Sequence, residues 1–348
     1  MTDTTDIRLT QLSKDIQAAG TPPDLTEKLL LMVQAATSAF KSGNTTLLDQ
    51  AEKYIRFVLS LPWNKVTPDN LDLTRAQEIF EKHHYGMKEI KGRIIDYLAV
   101  LKLKKQSAPT ETALRAPVLC FVGLAGTGKT TLAYAIAEAM GRAVVRVPFG
   151  GMGSALDLRG QSRVHPDAEP GQIMKALIRA GSHNPVILLD EIDRVGDEAR
   201  SDIMGVLIEL LDPEQNSAFT DHYLDYPFDL SQVLFIATGN NTKNIATAVL
   251  DRLEPIQMPT YTDDEKVTIA KQYIFPRETR ECGISPTQLT IDETLWPAIV
   301  RPLGFDSGIR TLERTINGIC RKAARILVEQ KSQSVTITQE NIKEFIPQ

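Results

Sequence analysis

The segment GLAGTGKTT, from Gly123 to Thr131, constrains the fold of this chain more than any other. It fits the pattern G-x-x-x-x-G-K-[ST], and it lies between the apolar run APVLCFV and a helix-forming segment. Glycines let the backbone curl until several N–H groups point at one anion, and the following helix adds the positive end of its dipole. A flexible turn is the alternative, but the flanking strand and helix favour a phosphate-binding loop.

The types of side chain in this segment suit a nucleoside triphosphate. The ammonium of Lys129 is expected to reach the β- and γ-phosphates, and the hydroxyl of Thr130 is expected to bind Mg²⁺. The sequence therefore predicts ATP or ADP with Mg²⁺ as the ligands. The candidate nucleotide-binding residues here are Gly123, Leu124, Ala125, Gly126, Thr127, Gly128, Lys129, Thr130 and Thr131.

A second motif, VILLDEID, places two acids after a short apolar run. Asp190 is expected at the carboxyl end of a buried strand, which is where open α/β sheets bind ligands. We expect Asp190 to hold Mg²⁺ and Glu191 to polarise the attacking water. The two acids would alternatively cap the next helix. Together with the glycine-rich segment, they indicate a P-loop nucleoside triphosphatase.

Apolar runs of strand length alternate with helical segments in the middle of the chain. AVVRVPF, PVILLD and QVLFIATG are short runs dominated by apolar and β-branched residues. Unbroken apolar runs are typical of strands covered on both faces, as in a parallel sheet. The alternation predicts a doubly wound parallel α/β domain over residues 70–258. A helical segment is expected at 1–69, and a small helical lid domain at 259–348.

Helix boundaries are marked by capping patterns. Asp24 with Glu27 predicts a capping box at the start of one helix, and Thr262 with Glu265 predicts another. Further helices are expected at 46–61, 73–81, 293–299, 308–329 and 339–345, with a short β segment at SVTIT.

Composition excludes several classes of protein. The 348 residues carry a formal net charge of −5, which argues against nucleic acid as the main partner. The three cysteines form no CxxC pair, so buried thiols are expected rather than a zinc site. The first residues lack a signal peptide pattern, and no apolar run approaches the ~20 residues of a membrane span. A cytoplasmic protein without a membrane partner is expected.

A longer series of motifs resembles the ATPase module of the Lon protease family, within the AAA+ superfamily. HYGMKEIKGRIIDYLAV, VILLDEIDRVG, LLDPEQNSAFTDHYLDYPFDL, YTDDEK and GIRTLER occur in that order. LPWN looks like the segment that precedes the module, so the resemblance covers nearly the whole chain.

This resemblance implies roles for residues outside the two motifs. Asn240 matches sensor 1, which orients the lytic water together with Glu191. Arg252 matches the arginine finger, which points at the nucleotide of a neighbouring subunit, and Arg310 matches sensor 2 on the lid. The residues that correspond to the adenine pocket are His84, Tyr85, Gly86 and Ile90.

The same resemblance implies a hexameric ring or spiral that hydrolyses ATP to ADP and phosphate and unfolds or remodels a polypeptide substrate. Lon chains continue into a serine–lysine protease domain, whereas this sequence stops at EFIPQ. No peptidase activity is therefore expected from this chain alone, and cleavage would need a separate protease. A nucleotide-dependent assembly or scaffold protein that threads no substrate is the alternative. A DNA-dependent AAA+ protein is a third reading, disfavoured by the acidic charge.

One segment departs from the family pattern. The family grips substrate with an aromatic–aliphatic pair on a pore loop, and the matching stretch here is RGQSRVHPDAEPG. His165 takes the aromatic position, Pro166 the aliphatic position and Asp167 the position of a glycine. We interpret this as an intact motor with an altered or weakened grip. The alternative is that pore loops vary and His165 still serves.

Overall fold

The structure is a computed structural model that describes residues 2–42, 44–107, 117–301, 308–329 and 333–346. Contacts divide the chain into two compact units. The sheet unit comprises Met1–Leu71, Ala99–Cys120 and Ala137–Pro255. The lid unit comprises Asp72–Leu98, Phe121–Ile136 and Ile256–Gln348.

Three helices open the sheet unit: α1 (Thr2–Ala18), α2 (Pro23–Lys41) and α3 (Thr45–Ser60). Asn44 caps α3 by accepting a hydrogen bond from the amide of Leu47. The prediction that Asp24 caps α2 is wrong, because the helix begins at Pro23 and Asp24 lies inside its first turn. Proline suits the first helical position, since its fixed φ is helical and no N–H is lost there. The carboxylate of Asp24 instead accepts a hydrogen bond from the Tyr226 hydroxyl, at 2.8 Å.

The segment after α3 is attached to the rest of the sheet unit by polar contacts. Arg142 donates two hydrogen bonds to the carboxylate of Asp69, at 2.6 and 2.9 Å, and both side chains are buried. The Asn184 side chain pairs with the backbone of Thr67 through two bonds of 2.8 Å. The N-terminal helices therefore belong to the same compact unit as the strands.

The central sheet has five strands in the order β2-β3-β6-β1-β7. Pairing of β2 with β3, and of β3 with β6, is parallel, with Val186 opposite Val144 on one side and Leu234 on the other. Every residue of β1, β3 and β6 is buried, as the unbroken apolar runs predict. The strands are β1 (Val118–Val122), β2 (Val144–Pro148), β3 (Val186–Asp190), β6 (Leu234–Gly239) and β7 (Leu253–Gln257).

The rest of this region contains a hairpin and several helices. The hairpin is the short antiparallel pair β4 (Phe219–Asp221) and β5 (Tyr226–Phe228). The helices from residue 73 to residue 250 are α4 (Leu73–His83), α5 (Lys88–Ser107), α6 (Lys129–Met140), α7 (Leu156–Arg159), α8 (Gln172–Ala180), α9 (Arg200–Leu211) and α10 (Thr247–Leu250).

The C-terminal part of the lid unit is helical with a small parallel ladder. Leu289 in β8 (Leu289–Ile291) pairs with Val335 in β9 (Val335–Ile337), so a β segment forms at SVTIT as predicted. Ile274, Trp296 and Ile316 lie in its apolar core. The helices are α11 (Asp263–Ile269), which continues through a π-helical turn (Ala270–Ile274) into α12 (Phe275–Glu281), then α13 (Trp296–Val300), α14 (Arg310–Val328) and α15 (Ile342–Phe345).

The chain is thus an α/β protein with a parallel sheet, an N-terminal helical segment and a C-terminal helical region, as the sequence predicts. The domain boundaries at 69/70 and 258/259 stay predictions. No helix among the described residues combines the length and the apolar character needed to cross a bilayer.

Candidate functional site

The glycine-rich segment forms a tight loop between β1 and α6 in the lid unit. Gly126 and Gly128 have φ of 80° and 91°, a left-handed conformation that glycine adopts without strain. Lys129 is the first residue of α6, and its side chain is buried. Its ammonium donates hydrogen bonds to the carbonyl oxygens of Gly123 and Leu124, at 2.6 and 2.9 Å. The loop thus holds a buried cation at the N-terminus of a helix.

The start of α14 lies against the same loop. The amide of Ile309 donates a hydrogen bond of 3.1 Å to the carbonyl oxygen of Gly126. A Cβ added to Gly126 would lie 3.2 Å from Cγ of Arg310, and one added to Gly308 would lie 2.3 Å from the carbonyl oxygen of Ala125. The structure therefore brings the predicted sensor 2 residue, Arg310, to the predicted phosphate loop.

His84, predicted to contact adenine, also lies beside the loop. A Cβ on Gly128 would be 3.4 Å from the imidazole ring. The imidazole is buried, and burial lowers the pKa of His84 to about 4, although a hydrogen bond with the backbone of Thr131 opposes this shift. The ring is therefore neutral at pH 7. Its Nε2 is buried without a hydrogen-bond partner among the described residues, so it could make a polar contact with a ligand.

The other predicted adenine residues surround a turn between α4 and α5. Gly86 has φ of 67°. Ile90 is buried, and Tyr85 packs against the apolar core of the lid unit. Lys91, which sequence reasoning missed, fixes this turn. Its buried ammonium donates to the carbonyl oxygen of His84, at 2.6 Å, and pairs with the carboxylate of Glu81, at 2.9 Å.

In the sheet unit, Asp190 is the last residue of β3 and is buried. One carboxylate oxygen accepts a hydrogen bond of 2.6 Å from Nε of Arg146, on β2. The other accepts a hydrogen bond from the hydroxyl of Thr238, on β6. Thr238 also accepts a hydrogen bond of 3.0 Å from the amide of Glu191. A single threonine thus orients both acids of the motif.

Glu191 has φ of 59°, an uncommon conformation for a non-glycine residue. Its carboxylate lies 3.6 Å from the Arg194 guanidinium, and a Cβ on Gly150 would approach it to 3.2 Å. Backbone strain of this kind concentrates at functional sites. The sequence motif identifies Glu191 but contains no sign of its left-handed backbone.

The predicted sensor 1 residue, Asn240, directly follows β6. The neighbouring Asn241 donates to the carboxylate of Asp193 from its backbone and its side chain, both at 3.3 Å. Asp193 is buried and connects the loop after β3 to the loop after β6. Sequence reasoning missed Asp193 and Thr238, because their importance depends on pairing between strands that are distant in sequence.

The predicted arginine finger, Arg252, makes contacts within this chain. Its guanidinium donates to the Asp212 carboxylate, at 2.7 and 3.2 Å, and to the carbonyl oxygen of Ala248, at 2.8 Å. The pKa of Asp212 is lowered, chiefly by the hydrogen bond from Arg252. Asp212 belongs to the LLDPEQN segment, so this segment supplies the partner of the arginine.

Two groups of predicted site residues therefore emerge. The phosphate loop, His84 and Arg310 lie together in the lid unit. Asp190 and Glu191, with Asn240 and Arg252, belong to the sheet unit. Within the lid unit, the buried ammonium of Lys129 suits a phosphate. Within the sheet unit, the carboxylate of Asp190 at a strand end is a ligand type that Mg²⁺ prefers.

Comparison with known proteins agrees with this geometry. Residues 119–260 match the ATPase family associated with various cellular activities, and residues 280–337 match the Lon protease AAA+ ATPase lid domain. Lon protease 2 of Thermus thermophilus is 44% identical over 298 residues, which are 84% of this chain and 37% of that protein. Lon protease of Lawsonia intracellularis is 39% identical over 346 residues, which are 98% of this chain and 40% of that protein.

These findings define an AAA ATPase module, made of the α/β nucleotide-binding region and a lid. The chain belongs to the Lon protease family. It spans about two fifths of the length of the Lon proteases that it matches, at 37% for the Thermus protein and 40% for the Lawsonia protein.

Proposed function

We propose that this chain hydrolyses ATP to ADP and phosphate and uses the energy to remodel polypeptides, as a subunit of a ring or spiral. The observation that carries the proposal is the phosphate loop, with its buried Lys129 ammonium and with His84 and Arg310 against it. A buried cation and converging backbone amides stabilise the charge that develops in phosphoryl transfer.

Each residue has a proposed role in this reaction. Lys129 neutralises the β- and γ-phosphates, and His84 with Ile90 holds the adenine. Thr130 and Asp190 would hold Mg²⁺, which neutralises phosphate charge when it is bound. Glu191 accepts the proton of the attacking water, and Asn240 orients that water. Arg310 contacts the phosphates from the lid.

Arg252 is proposed to act on the nucleotide of a neighbouring subunit, because an arginine supplied in this way stabilises the transition state. To do so it must exchange its contact with Asp212 for a phosphate. Hydrolysis would then depend on assembly. The ring, its polypeptide substrate and any separate protease are parts of the proposal that rest on similarity to Lon proteases.

The test is the rate of phosphate release with and without an unfolded protein such as casein. A remodelling motor predicts that casein stimulates ATP turnover and that specific activity rises with protein concentration. Lack of phosphate release at every concentration, with or without casein, would contradict the proposal.

A scaffold that binds nucleotide with little turnover is the second candidate. Two observations favour it: His165 and Pro166 stand where the family has its gripping pair, and Arg252 is paired with Asp212. This candidate predicts nucleotide-dependent assembly, measured by light scattering, with slow turnover that casein leaves unchanged.

A further inference from the structure

Asp193 is a buried carboxylate that the proposed reaction leaves without a role. It belongs to a 3₁₀-helical turn, Ile192–Arg194, in the loop after β3, and the residue is only 4% exposed. Its Oδ1 is buried without a hydrogen-bond partner among the described residues. A buried carboxylate oxygen without a partner destabilises the folded state. The presence of Asp193 therefore needs an explanation other than stability.

The two carboxylate oxygens of Asp193 face the segment that follows β6. Oδ2 accepts hydrogen bonds from the backbone amide and from the side-chain amide of Asn241, both at 3.3 Å. Oδ1 lies next to Gly239, because a Cβ added to that glycine would be 3.3 Å from this oxygen. Gly239 and Asn241 are the sequence neighbours of Asn240. The carboxylate therefore lies against the residue on either side of the predicted sensor 1 residue.

Further hydrogen bonds restrain the same segment. The side-chain amide of Asn244 donates to the carbonyl oxygen of Asp193, at 3.4 Å. The side-chain oxygen of Asn241 accepts a hydrogen bond of 2.9 Å from the amide of Lys243, which closes a turn directly after Asn240. Both the backbone and the side chain of Asp193 thus hold this turn. A turn restrained in this way limits the directions that the Asn240 side chain can take.

Asp193 is also connected to the acid motif. The amide of Arg194 donates to the carbonyl oxygen of Glu191, at 2.9 Å, so both acids belong to one hydrogen-bonded turn. Strands β3 and β6 are parallel neighbours, and their carboxyl ends therefore lie at the same edge of the sheet. In the proposed reaction Glu191 and Asn240 act on one water. A misplacement of about 1 Å in such an arrangement can lower turnover by about 10²-fold.

We propose that Asp193 is a positioning residue for ATP hydrolysis. Its carboxylate holds the segment after β6 so that the side-chain amide of Asn240 is directed at the water that Glu191 activates. Asp193 touches neither the nucleotide nor the water in this scheme, and it acts through Asn240. A buried group that breaks a rule of stability is expected at a functional site. This inference deepens the proposed function and rests on its ATP-hydrolysis part.

A double-mutant cycle on steady-state phosphate release by the full chain tests the proposal. It uses a protein concentration at which the specific activity of the parent no longer rises. Asp193→Ala should lower kcat by about 10- to 100-fold and keep KM for ATP within about threefold, because the phosphate loop is unchanged. Asn240→Ala should lower kcat by about 10²–10³-fold.

The double variant gives the decisive measurement. Because Asp193 acts through Asn240, adding Asp193→Ala to Asn240→Ala should lower kcat by less than about twofold further. Damage to the site in general would not depend on Asn240, so the two effects would then multiply. Multiplying effects would overturn the proposal.

Two variants serve as controls. Asp193→Asn keeps an oxygen that can accept a hydrogen bond from Asn241, and it should keep kcat within about fivefold of the parent. Asp229→Ala should leave kcat unchanged; Asp229 also accepts a hydrogen bond from a backbone amide, that of Ser231 at 2.8 Å, in the same unit. An asparagine at 193 that is no better than alanine would contradict the role of the acceptor oxygen.

Thermal unfolding verifies that each variant is folded. If Asp193→Ala does not fold, Asn241→Ala replaces it in the cycle, because it removes the side-chain donor of the same contact. The expected result is the same loss of its effect in the Asn240→Ala background, and a full effect in that background would refute the proposal.

Amide hydrogen exchange, measured by NMR without nucleotide, separates this inference from the proposed function. In Asp193→Ala the amide of Asn241 should exchange about three- to tenfold faster, since it loses its hydrogen bond, while the amides of β3 keep the parent rates. Unchanged exchange at residue 241 would show that Asp193 does not hold the segment. A parent protein that releases no phosphate would contradict the proposed function, and the exchange rates would still decide whether Asp193 holds the segment.

Discussion

At the scale of single residues, Thr238 and Glu191 show how the acid motif is arranged. The Thr238 hydroxyl donates a hydrogen bond to Asp190 and accepts one from the amide of Glu191. The left-handed backbone of Glu191 costs of order 1–3 kcal/mol, which the surrounding contacts must offset. A strained backbone of this kind is typical of functional sites, and it agrees with the role proposed for Glu191.

Glu191→Gln tests the role of this carboxylate. The amide keeps the size of the side chain but cannot accept the proton, so phosphate release should fall by about 10²–10⁴-fold. Binding of a fluorescent ATP analogue should stay within a few-fold of the parent. Glu198→Gln, at an exposed position, is the matched control. Turnover near the parent rate in Glu191→Gln would exclude Glu191 as the base.

His84 makes a prediction about pH. Its pKa in the folded protein is about 4, below its ordinary value of 6.5, so the unfolded chain binds more protons between these values. The neutral imidazole of His84 therefore makes its full contribution to the free energy of unfolding above pH 6.5. This contribution is lost as the pH falls toward 4. The loss between pH 7.5 and pH 5 should be about 2 kcal/mol, read from urea unfolding.

His84→Gln should flatten this part of the stability curve, whatever its effect at pH 7.5. Carbon-detected titration of the histidine rings gives an independent readout. One of the five rings should stay neutral down to about pH 4, and its signal should vanish in the variant. A full set of histidines titrating near pH 6.5 would contradict the buried imidazole.

At the scale of elements, the sequence could predict the features that depend on local patterns. The apolar runs predict β1, β3 and β6, and the Thr262–Glu265 pair predicts the start of α11. Contacts between distant segments could not be predicted, because no local spacing encodes them. Arg146 beside Asp190 and Arg163 over Tyr54 both depend on tertiary packing.

The start of α11 gives a stability prediction. Thr262 accepts the amide of Glu265 at 3.3 Å, and Glu265 accepts the amide of Thr262 at 2.8 Å. Thr262→Ala removes the first of these bonds and should lower the free energy of unfolding by about 1 kcal/mol. Thr262→Ser keeps the hydroxyl, so it should lower the free energy of unfolding by only a few tenths of about 1 kcal/mol. Urea unfolding measures both losses, and equal losses would show that the hydroxyl of residue 262 does not stabilise the helix.

At the scale of the whole molecule, the proposed active state needs more than one chain. Arg252 pairs with Asp212 of the same chain, and it is proposed to act on the nucleotide of a neighbouring chain. Asp212 would then hold the Arg252 side chain before assembly, and the guanidinium would move to a phosphate of the neighbouring chain on assembly. Activity should consequently depend on concentration.

Arg252→Ala tests this dependence. ATP binding at the loop should be unaffected, and turnover in concentrated samples should fall by about 10³-fold or more. At high dilution the parent and the variant should have similar, slow rates. Arg280→Ala, at an exposed position of α12, is the control. A parent protein whose specific activity is independent of concentration would contradict a finger acting between subunits.

The closeness of Gly308 to the phosphate loop has a consequence for mutational tolerance. A methyl group at this position would lie 2.3 Å from the carbonyl oxygen of Ala125. Even alanine would therefore push the backbone at residue 308 away from the backbone of the phosphate loop. In a saturation library scored for nucleotide retention, position 308 should be as depleted of variants as the glycines of the loop. Gly308 would show this depletion although it lies outside the G-x-x-x-x-G-K-[ST] motif of the loop.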